Sequence, residues 1–213
     1  MGKEVGGTFS IGAIEHAGLG RLALLLKRYK QKHPGVEIDV HVVQADKGLL
    51  DIESGKVEMI LCSTNTPITA AISQSLLIAI EVFSERQLVV VANDHALVRL
   101  NTINAVQLAE HPAILPQPRS ATRQSIDQLM ATNGVQARVA IQVRDISTAR
   151  SMVASGMGWA VLPESELTDS LTVLNVPDLL LTYSQNLLRH SQYRTSRAVQ
   201  AFIDMLQTQE VTE

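Results

Sequence analysis

The chain has little of several features that mark specialised classes of protein. Of its 213 residues one is cysteine and 3% are aromatic, and its formal net charge is −3. The single cysteine, Cys62, excludes an internal disulfide. A net negative charge supplies no basic surface for a phosphate backbone, and so few aromatic residues cannot build a base-stacking platform. We therefore expect that the chain does not bind nucleic acid by itself.

Long hydrophobic runs are also missing. The apolar stretch Leu22–Leu26 is followed at once by Lys27 and Arg28, which leaves it far short of the roughly 20 residues that cross a bilayer. Residues 1–7 lack the apolar segment of a signal peptide. We expect a cytoplasmic protein with no membrane partner. Hydrophobic residues nevertheless make up 46% of the chain, which is enough for one large or two small packed domains.

The first part of the chain alternates strand and helix patterns. A strand is predicted over Thr8–Ala13 and a helix over Leu19–Lys32. Val36–Val43 alternates apolar and polar residues, which predicts a strand near the sheet edge with one wetter face. A short helix over Leu49–Ser54 and a strand over Val57–Cys62 complete a βαβαβ order. Such alternation predicts a parallel, doubly wound sheet.

A second α/β lobe is predicted from the middle of the chain onward. The apolar stretch Leu76–Phe83 leads through Ser84, Glu85 and Arg86 into a strand over Gln87–Ala92, and we place the crossing between lobes there. A long strand would return the chain to the first lobe near its end. The elements predicted after the crossing are helices at Ala105–Glu110, Ala121–Thr132 and Thr195–Gln207, and strands at Pro112–Leu115, Arg138–Val143 and Leu179–Leu188.

Residues 144–163 carry the most informative local pattern, which predicts a short helix, a two-glycine turn and a buried strand. Asp145 or Ser147 can cap the first N–H groups of the helix, and Gly156 supplies the left-handed residue that ends it. Trp159–Leu162 is apolar throughout, as in a strand covered on both faces. The polar and cationic start of this helix is expected to leave a bare positive end at which a small anion can bind.

Polar side chains follow several of the predicted strands, in residues 14–18, 63–66, 118–122 and 144–148. Ligands of open α/β sheets bind beyond the carboxyl ends of the strands. We therefore expect two loops from each lobe to line one cleft. Their hydroxyls, helix N–H groups and arginines suit a carboxylate, sulfate or phosphate, because charge-assisted hydrogen bonds give both strength and orientation.

Each of these candidates also has a purely structural explanation. Serine and threonine before helices commonly act only as caps. Arg119 and Arg144 can instead pair with acidic neighbours, and His16 can be an ordinary loop histidine. Glu15 opposes a strongly anionic ligand unless it pairs with one of these three basic residues. Cys62, at a strand end, is either a small core residue or a redox sensor.

The sequence gives no positive support for catalysis, a cofactor or a metal. No Gly-x-Ser-x-Gly elbow surrounds any serine, so a triad of Ser63, His16 and Asp145 is poorly supported. Gly156-Met157-Gly158 lacks the third glycine of a dinucleotide loop and follows a helix where that motif would follow a strand. The other histidines are scattered without the spacing of a zinc site. We expect no enzyme activity.

Five segments resemble the effector-binding domain of LysR-type transcriptional regulators. Residues 10–12 resemble the opening strand of that family, residues 29–36 its helix-to-strand turn, residues 50–59 its G-x-hydrophobic-D segment and residues 93–97 its D-H-P-L loop. The most specific match is residues 152–163, which resemble the family's L-V-A-x-G-x-G-I-x-x-L-P segment.

Two positions depart from the family pattern. Glu58 stands where the family usually has aspartate, and Ala96 stands where it has proline. Both changes affect loop rigidity more than a pocket.

The resemblance implies an α/β fold of two Rossmann-like subdomains joined by two crossover strands, like the type 2 periplasmic binding proteins. Subdomain I would comprise residues 8–84 and 185–208, and subdomain II residues 85–184. The N-terminal winged helix-turn-helix of such regulators is absent from this chain, so DNA would be contacted only through that missing domain. The family's regulatory domains pair side by side, which implies a homodimer or homotetramer.

The resemblance also implies a function. A small, anionic metabolite would bind in the cleft between the lobes and control DNA binding and transcription by the full-length protein. The alternative is a solute-binding receptor of a transport system with the same fold, for which an export signal is expected and none is seen. The residues implied at the effector site are Ile14, Glu15, His16, Ser63, Thr64, Thr66, Arg119, Ser120, Thr122, Arg144, Ile146 and Thr148.

Overall fold

The computed structural model of the protein describes residues 5–14, 19–43, 45–64 and 76–208. The chain divides into two compact units, one formed by Met1–Ser84 with Ser184–Glu213 and the other by Glu85–Tyr183. Two strands continue from one unit into the other, so the chain passes between the units twice. No helix in the described ranges is long and apolar enough to span a bilayer.

The first unit is built on a mixed sheet. Its elements are β1 (Gly7–Ile14), α1 (Leu19–Lys32), β2 (Val36–Val43), α2 (Ala45–Glu53), β3 (Met59–Thr64), the first part of β4 (Leu77–Ala92), the later part of β9 (Leu181–His190) and α6 (Arg197–Gln207). The strand order is β2-β1-β3-β9-β4. β1 pairs in parallel with β2 and β3, whereas β9 pairs with β3 in the antiparallel direction.

The predicted parallel sheet is confirmed for the three strands of the βαβαβ segment, since β1 pairs in parallel with both β2 and β3. The returning strand β9 enters directly from the second unit, without a crossover helix of the first unit, and runs antiparallel to β3. The predicted edge position of Val36–Val43 is confirmed, because β2 is the outermost strand of the order. Burial follows the alternating pattern only in the first half of β2, because Val36 is buried and Ile38 half-buried, whereas Val40 and Val42 on the same face are exposed.

The strand predicted to begin at Gln87 begins already at Leu77. β4 is one continuous strand through Ser84, Glu85 and Arg86, and Glu85 is buried. Three polar residues in succession are typical of a loop, but in this strand the backbone pairing outweighs that preference.

The second unit contains a parallel pair of strands and an antiparallel set. The elements are the later part of β4, α3 (Ala105–Ala109), β5 (Pro112–Pro116), α4 (Ala121–Thr132), β6 (Arg138–Val143), α5 (Ile146–Ala154), β7 (Ala160–Pro163), β8 (Leu171–Val173) and the start of β9, with short 3-10 turns at Ala96–Arg99, Glu164–Glu166 and Pro177–Leu179. β5 and β6 pair in parallel, β7 and β8 both pair with β4 in the antiparallel direction, and Ala113 of β5 forms a bridge with Trp159.

Each unit has hydrophobic clusters on both faces of its strands. In β3, Met59 and Leu61 enter one cluster while Ile60 between them enters another. In β4, Val91 and its neighbour Val90 likewise enter different clusters. Because successive side chains of a strand point to opposite faces, both faces of these sheets are covered. This burial on two sides explains why the strands are nearly continuous apolar runs in the sequence.

Candidate functional site

In the second unit, two loops follow the carboxyl ends of neighbouring strands. Pro116, the last residue of β5, pairs with Val143, the last residue of β6, so both strands end at the same edge. Arg119 follows the first strand and Arg144 the second, and both side chains are exposed. Within the described ranges, no carboxylate lies within ion-pair distance of either guanidinium. Two arginines without an ionic partner among the described residues therefore follow the neighbouring carboxyl ends of β5 and β6.

A third arginine in this region, Arg123, is already paired with an acidic side chain. Arg123 Nε donates to both carboxylate oxygens of Asp127, at 2.8 and 2.9 Å, and its Nη1 donates to the carbonyl of Pro116 at 3.3 Å. These bonds hold Arg123 against the first turns of α4 and leave its positive charge neutralised by an acid four residues on.

The start of α4 supports the capping explanation for Ser120. Its Oγ accepts a hydrogen bond from the backbone N–H of Arg123 at 3.1 Å, as an N-cap serine does. Thr122, on the first turn, is half-buried. Ser120 therefore stabilises the helix start from which Arg119 projects, whether or not its hydroxyl also contacts a ligand.

The start of α5 is not the bare positive end that the sequence suggested. The carboxylate of Asp145 accepts hydrogen bonds from Thr148 N at 2.8 Å, from Thr148 Oγ1 at 2.7 Å and from Ser147 Oγ at 2.6 Å. Asp145 is thus the N-cap, and its negative charge lies at the positive end of the helix dipole. Both donors of Thr148 are used, and Ile146 packs against a core cluster.

In the first unit, Ser63 forms a side-chain pair with Gln185. Ser63 on β3 is the register partner of Gln185 on β9, and Gln185 Nε2 donates to Ser63 Oγ at 2.6 Å. Ser63 is half-buried, whereas Gln185 is only 1% exposed. The amide oxygen of Gln185 is buried without a hydrogen-bond partner in the described part of the chain.

The other first-unit candidates differ in what the structure says of them. Ile14 is 4% exposed and belongs to a core cluster, so its side chain is not available to a ligand. Thr64 is the last residue of β3, and its backbone alone is described. Glu15, His16 and Thr66 lie outside the described residues.

Sequence reasoning missed a set of buried polar residues on the two strands that connect the units. Glu85 and Gln87 lie on β4, and Gln185 and Asn186 lie on β9. One oxygen of Glu85 accepts from Ser165 N at 3.0 Å, and the other has no described partner. The available signal was the polar pair 185–186 directly before the apolar pair 187–188 in a predicted strand, because such polar residues are rarely buried without a role.

The structure favours the core explanation for Cys62. The side chain is fully buried, and desolvation raises the pKa of the thiol to about 12. A thiol that stays protonated is a poor nucleophile and reacts slowly with oxidants. Among the described residues, no group of three or more histidine, cysteine, aspartate and glutamate side chains is placed to hold a metal ion.

Comparison with known proteins decides the family. The family model described as the LysR substrate binding domain matches residues 2–210. This chain belongs to the LysR substrate-binding domain family. The family comprises ligand-binding domains of transcriptional regulators and not enzymes. One relative is a probable RuBisCO transcriptional regulator of Cyanophora paradoxa, 27% identical over 170 residues that cover 78% of this chain and 51% of the relative.

Solved structures of LysR regulators share the fold. The regulatory domain of CcmR from Synechocystis PCC6803, in complex with 2-PG, matches with a TM-score of 0.81 and 21% identity over 95% of this chain and 96% of that domain. The effector binding domain of QuiR in complex with shikimate matches with a TM-score of 0.80 and 19% identity, with the same two coverages. The chain spans about half the length of the curated relatives it matches.

Proposed function

We propose that this LysR substrate-binding domain binds a small anionic metabolite, and that in the full-length regulator this binding controls DNA binding and transcription. The proposal extends to a cytoplasmic location and to a homodimer or homotetramer. DNA contact is assigned to a domain outside this chain, because the curated relatives are regulators about twice as long as the matched segment.

The observation that carries the proposal is the pair of arginines in the second unit that have no described ionic partner. Arg119 and Arg144 follow strands that end side by side, and no described acid neutralises either charge. An exposed arginine that pairs with an acidic neighbour needs no ligand to explain it. Two arginines without such a partner, beyond the carboxyl ends of two neighbouring strands, are available to bind an anion. A guanidinium binds carboxylate or phosphate through two parallel N–H donors, which fixes orientation as well as charge.

Ser63 in the first unit is proposed as a further contact. It directly precedes the end of β3, and carboxyl ends of strands are where ligands of α/β sheets bind. The 2-PG and shikimate complexes of the two structural relatives support a small effector of this general kind. Ser63 and the two arginines are therefore the residues whose substitution tests the proposal most directly.

Isothermal titration calorimetry of the purified chain with 2-PG, shikimate, phosphate and sulfate tests the binding. We expect at least one of these anions to bind, and we expect Arg119→Gln and Arg144→Gln each to weaken it by about tenfold, as loss of a charged hydrogen-bond pair does. Arg99→Gln is the matched control, because Arg99 is also exposed, lies in the same unit and has no described partner.

The control separates a local contact from a general effect of charge. If Arg99→Gln weakens binding as much as Arg119→Gln, the anion responds only to net charge and the proposed contact is wrong. If all four anions and the hydroxy acids named below fail to bind, the proposal of an anionic effector is wrong. Salt dependence gives a further check, because a directly bound guanidinium is screened less than a distant surface charge.

A further inference from the structure

We infer that the effector of this domain carries a free hydroxyl group, and that Ser63 and Gln185 together recognise that hydroxyl. The inference rests on the proposed function, since it concerns the chemistry of the same ligand. It comes from the hydrogen bonds of one side-chain pair in the first unit and from the one atom in that pair that has no described partner.

The Ser63–Gln185 pair leaves one donor and one acceptor unused. Because Gln185 Nε2 donates to Ser63 Oγ at 2.6 Å, the serine oxygen acts as acceptor and its O–H proton remains available. Gln185 Oε1 is buried and accepts from no described group. Ser63 Oγ makes no second hydrogen bond to the described part of the chain. The pair therefore offers an O–H donor beside a C=O acceptor.

A hydroxyl group fits this arrangement because it can accept and donate at once. Its oxygen can accept from Ser63 O–H while its proton is donated to Gln185 Oε1, which closes a ring of hydrogen bonds through the amide. A sulfate or a carboxylate oxygen can only accept, so it would bond Ser63 and still leave Oε1 without a partner. The half-buried Ser63 is the open side of the pair, and the buried Gln185 is the inner side.

The unpartnered oxygen is hard to explain by folding alone. A buried carbonyl without a hydrogen bond destabilises a protein, so most such groups in folded proteins are satisfied. Leu187, two residues on and therefore on the same face of β9, is apolar and buried, and an apolar side chain at 185 would match it without leaving an orphan atom. A glutamine that reduces stability in the free protein is typical of a binding residue.

Calorimetric titration with matched pairs of anions tests the inference. Lactate with propionate, glycolate with acetate, and L-malate with succinate each differ by one hydroxyl. We expect the hydroxylated member of at least one pair to bind about fivefold or more tightly than its partner in the wild type, the effect of one hydrogen bond. This ratio should fall to about one in Gln185→Met and in Ser63→Ala.

A second measurement separates recognition from a structural role. Gln185→Met keeps the approximate volume and removes the orphan oxygen, so the midpoint of thermal unfolding without ligand should stay the same or rise. Gln142→Met is the control for the same exchange at an exposed strand position, and it should change neither the midpoint nor the binding ratio. If the midpoint of thermal unfolding dropped by several degrees in Gln185→Met but not in Gln142→Met, Gln185 would have a structural role, and the inference would be overturned.

The remaining outcomes distinguish this inference from the proposed function. If the members of each pair bind equally, or no hydroxylated acid binds while phosphate, sulfate or 2-PG binds through Arg119, the anionic effector stands and hydroxyl recognition is wrong. If none of the hydroxy acids and none of those anions bind, both proposals are wrong. Loss of the binding ratio in Gln142→Met as well would also overturn the assignment to Gln185.

Discussion

Replacement of Gly158 by alanine should severely destabilise the second unit, because the missing side chain of this glycine allows its backbone to lie directly against the backbone of Pro112. Gly158 has a φ of +147°, in a region that residues with a side chain rarely adopt. A Cβ there would overlap the carbonyl oxygen of Pro112 and lie 2.9 Å from its carbon, whereas ordinary contact begins near 3.4 Å. The obstacle is backbone, which cannot rotate away as a side chain could.

The structure also indicates what the displacement of Pro112 would break. The Pro112 carbonyl accepts from Trp159 N at 2.9 Å, and Ile114 N donates to Trp159 O at 2.8 Å. The strained backbone contributes about 1–3 kcal/mol, and each lost backbone hydrogen bond about 1 kcal/mol. We therefore expect Gly158→Ala to lower the free energy of unfolding by about 3 kcal/mol or more.

Gly156→Ala is the matched control two residues away. Gly156 also has a positive φ, +78°, but a Cβ there would have no atom within 4 Å. Only the left-handed conformation is then unfavourable, at about 1–2 kcal/mol. The comparison separates the conformational penalty, which both variants share, from the backbone overlap, which only Gly158→Ala has.

Urea unfolding followed by tryptophan fluorescence measures both variants. Trp159 is the single tryptophan and is fully buried in the second unit, so its emission reports on that unit. With an m value of about 1–2 kcal/mol/M, the expected loss lowers the midpoint by about 1.5 M or more. Equal losses in Gly158→Ala and Gly156→Ala would refute the argument from close approach.

Three further predictions concern other parts of the chain. The thiol of Cys62, with its pKa raised to about 12, should be a thiolate in only about 1 molecule in 10⁴ at pH 8, so mass spectrometry should find it unmodified by iodoacetamide until urea is added. Burial, together with the neighbouring His111, lowers the pKa of His95 in the folded protein, so the unfolded chain binds a proton at His95 more readily. The free energy of unfolding should therefore fall as the pH drops below about 6.5. Urea midpoints compared between pH 7.5 and 5.5 should show a smaller fall in His95→Gln than in the wild type. Tyr29→Phe should cost about 1–2 kcal/mol by circular dichroism, because the buried hydroxyl donates to Ala198 O at 2.7 Å, while the exposed Tyr193→Phe should cost less.

Local elements of this fold could be predicted well from the sequence. The helix over Leu19–Lys32 has the predicted bounds, because its apolar spacing and the following Pro34 act within the segment itself. Gly156 has the left-handed conformation expected after a helix. The residue pattern of segment 152–163 is enough to indicate the LysR family, and the family model confirms that assignment.

The candidate site could be predicted less completely. The rule that ligand residues follow strands selected Arg119 and Arg144, which stay predictions, but the rule does not reveal that Asp145 occupies the start of α5. Either Asp145 or Ser147 could cap that helix by sequence alone, and the choice depends on backbone geometry. Ile14 follows the same positional rule as Arg119, yet its side chain turns into the core.

The sequence by itself determined the alternation of strands and helices, the buried character of the strands and the family, because these depend on the chemistry and spacing of neighbouring residues. Only the tertiary structure decided that β9 runs antiparallel to β3 and that Ser63 meets Gln185, a residue 122 positions away. Such pairings depend on the path of the chain between the partners. Periodicity within one segment carries no information about that path.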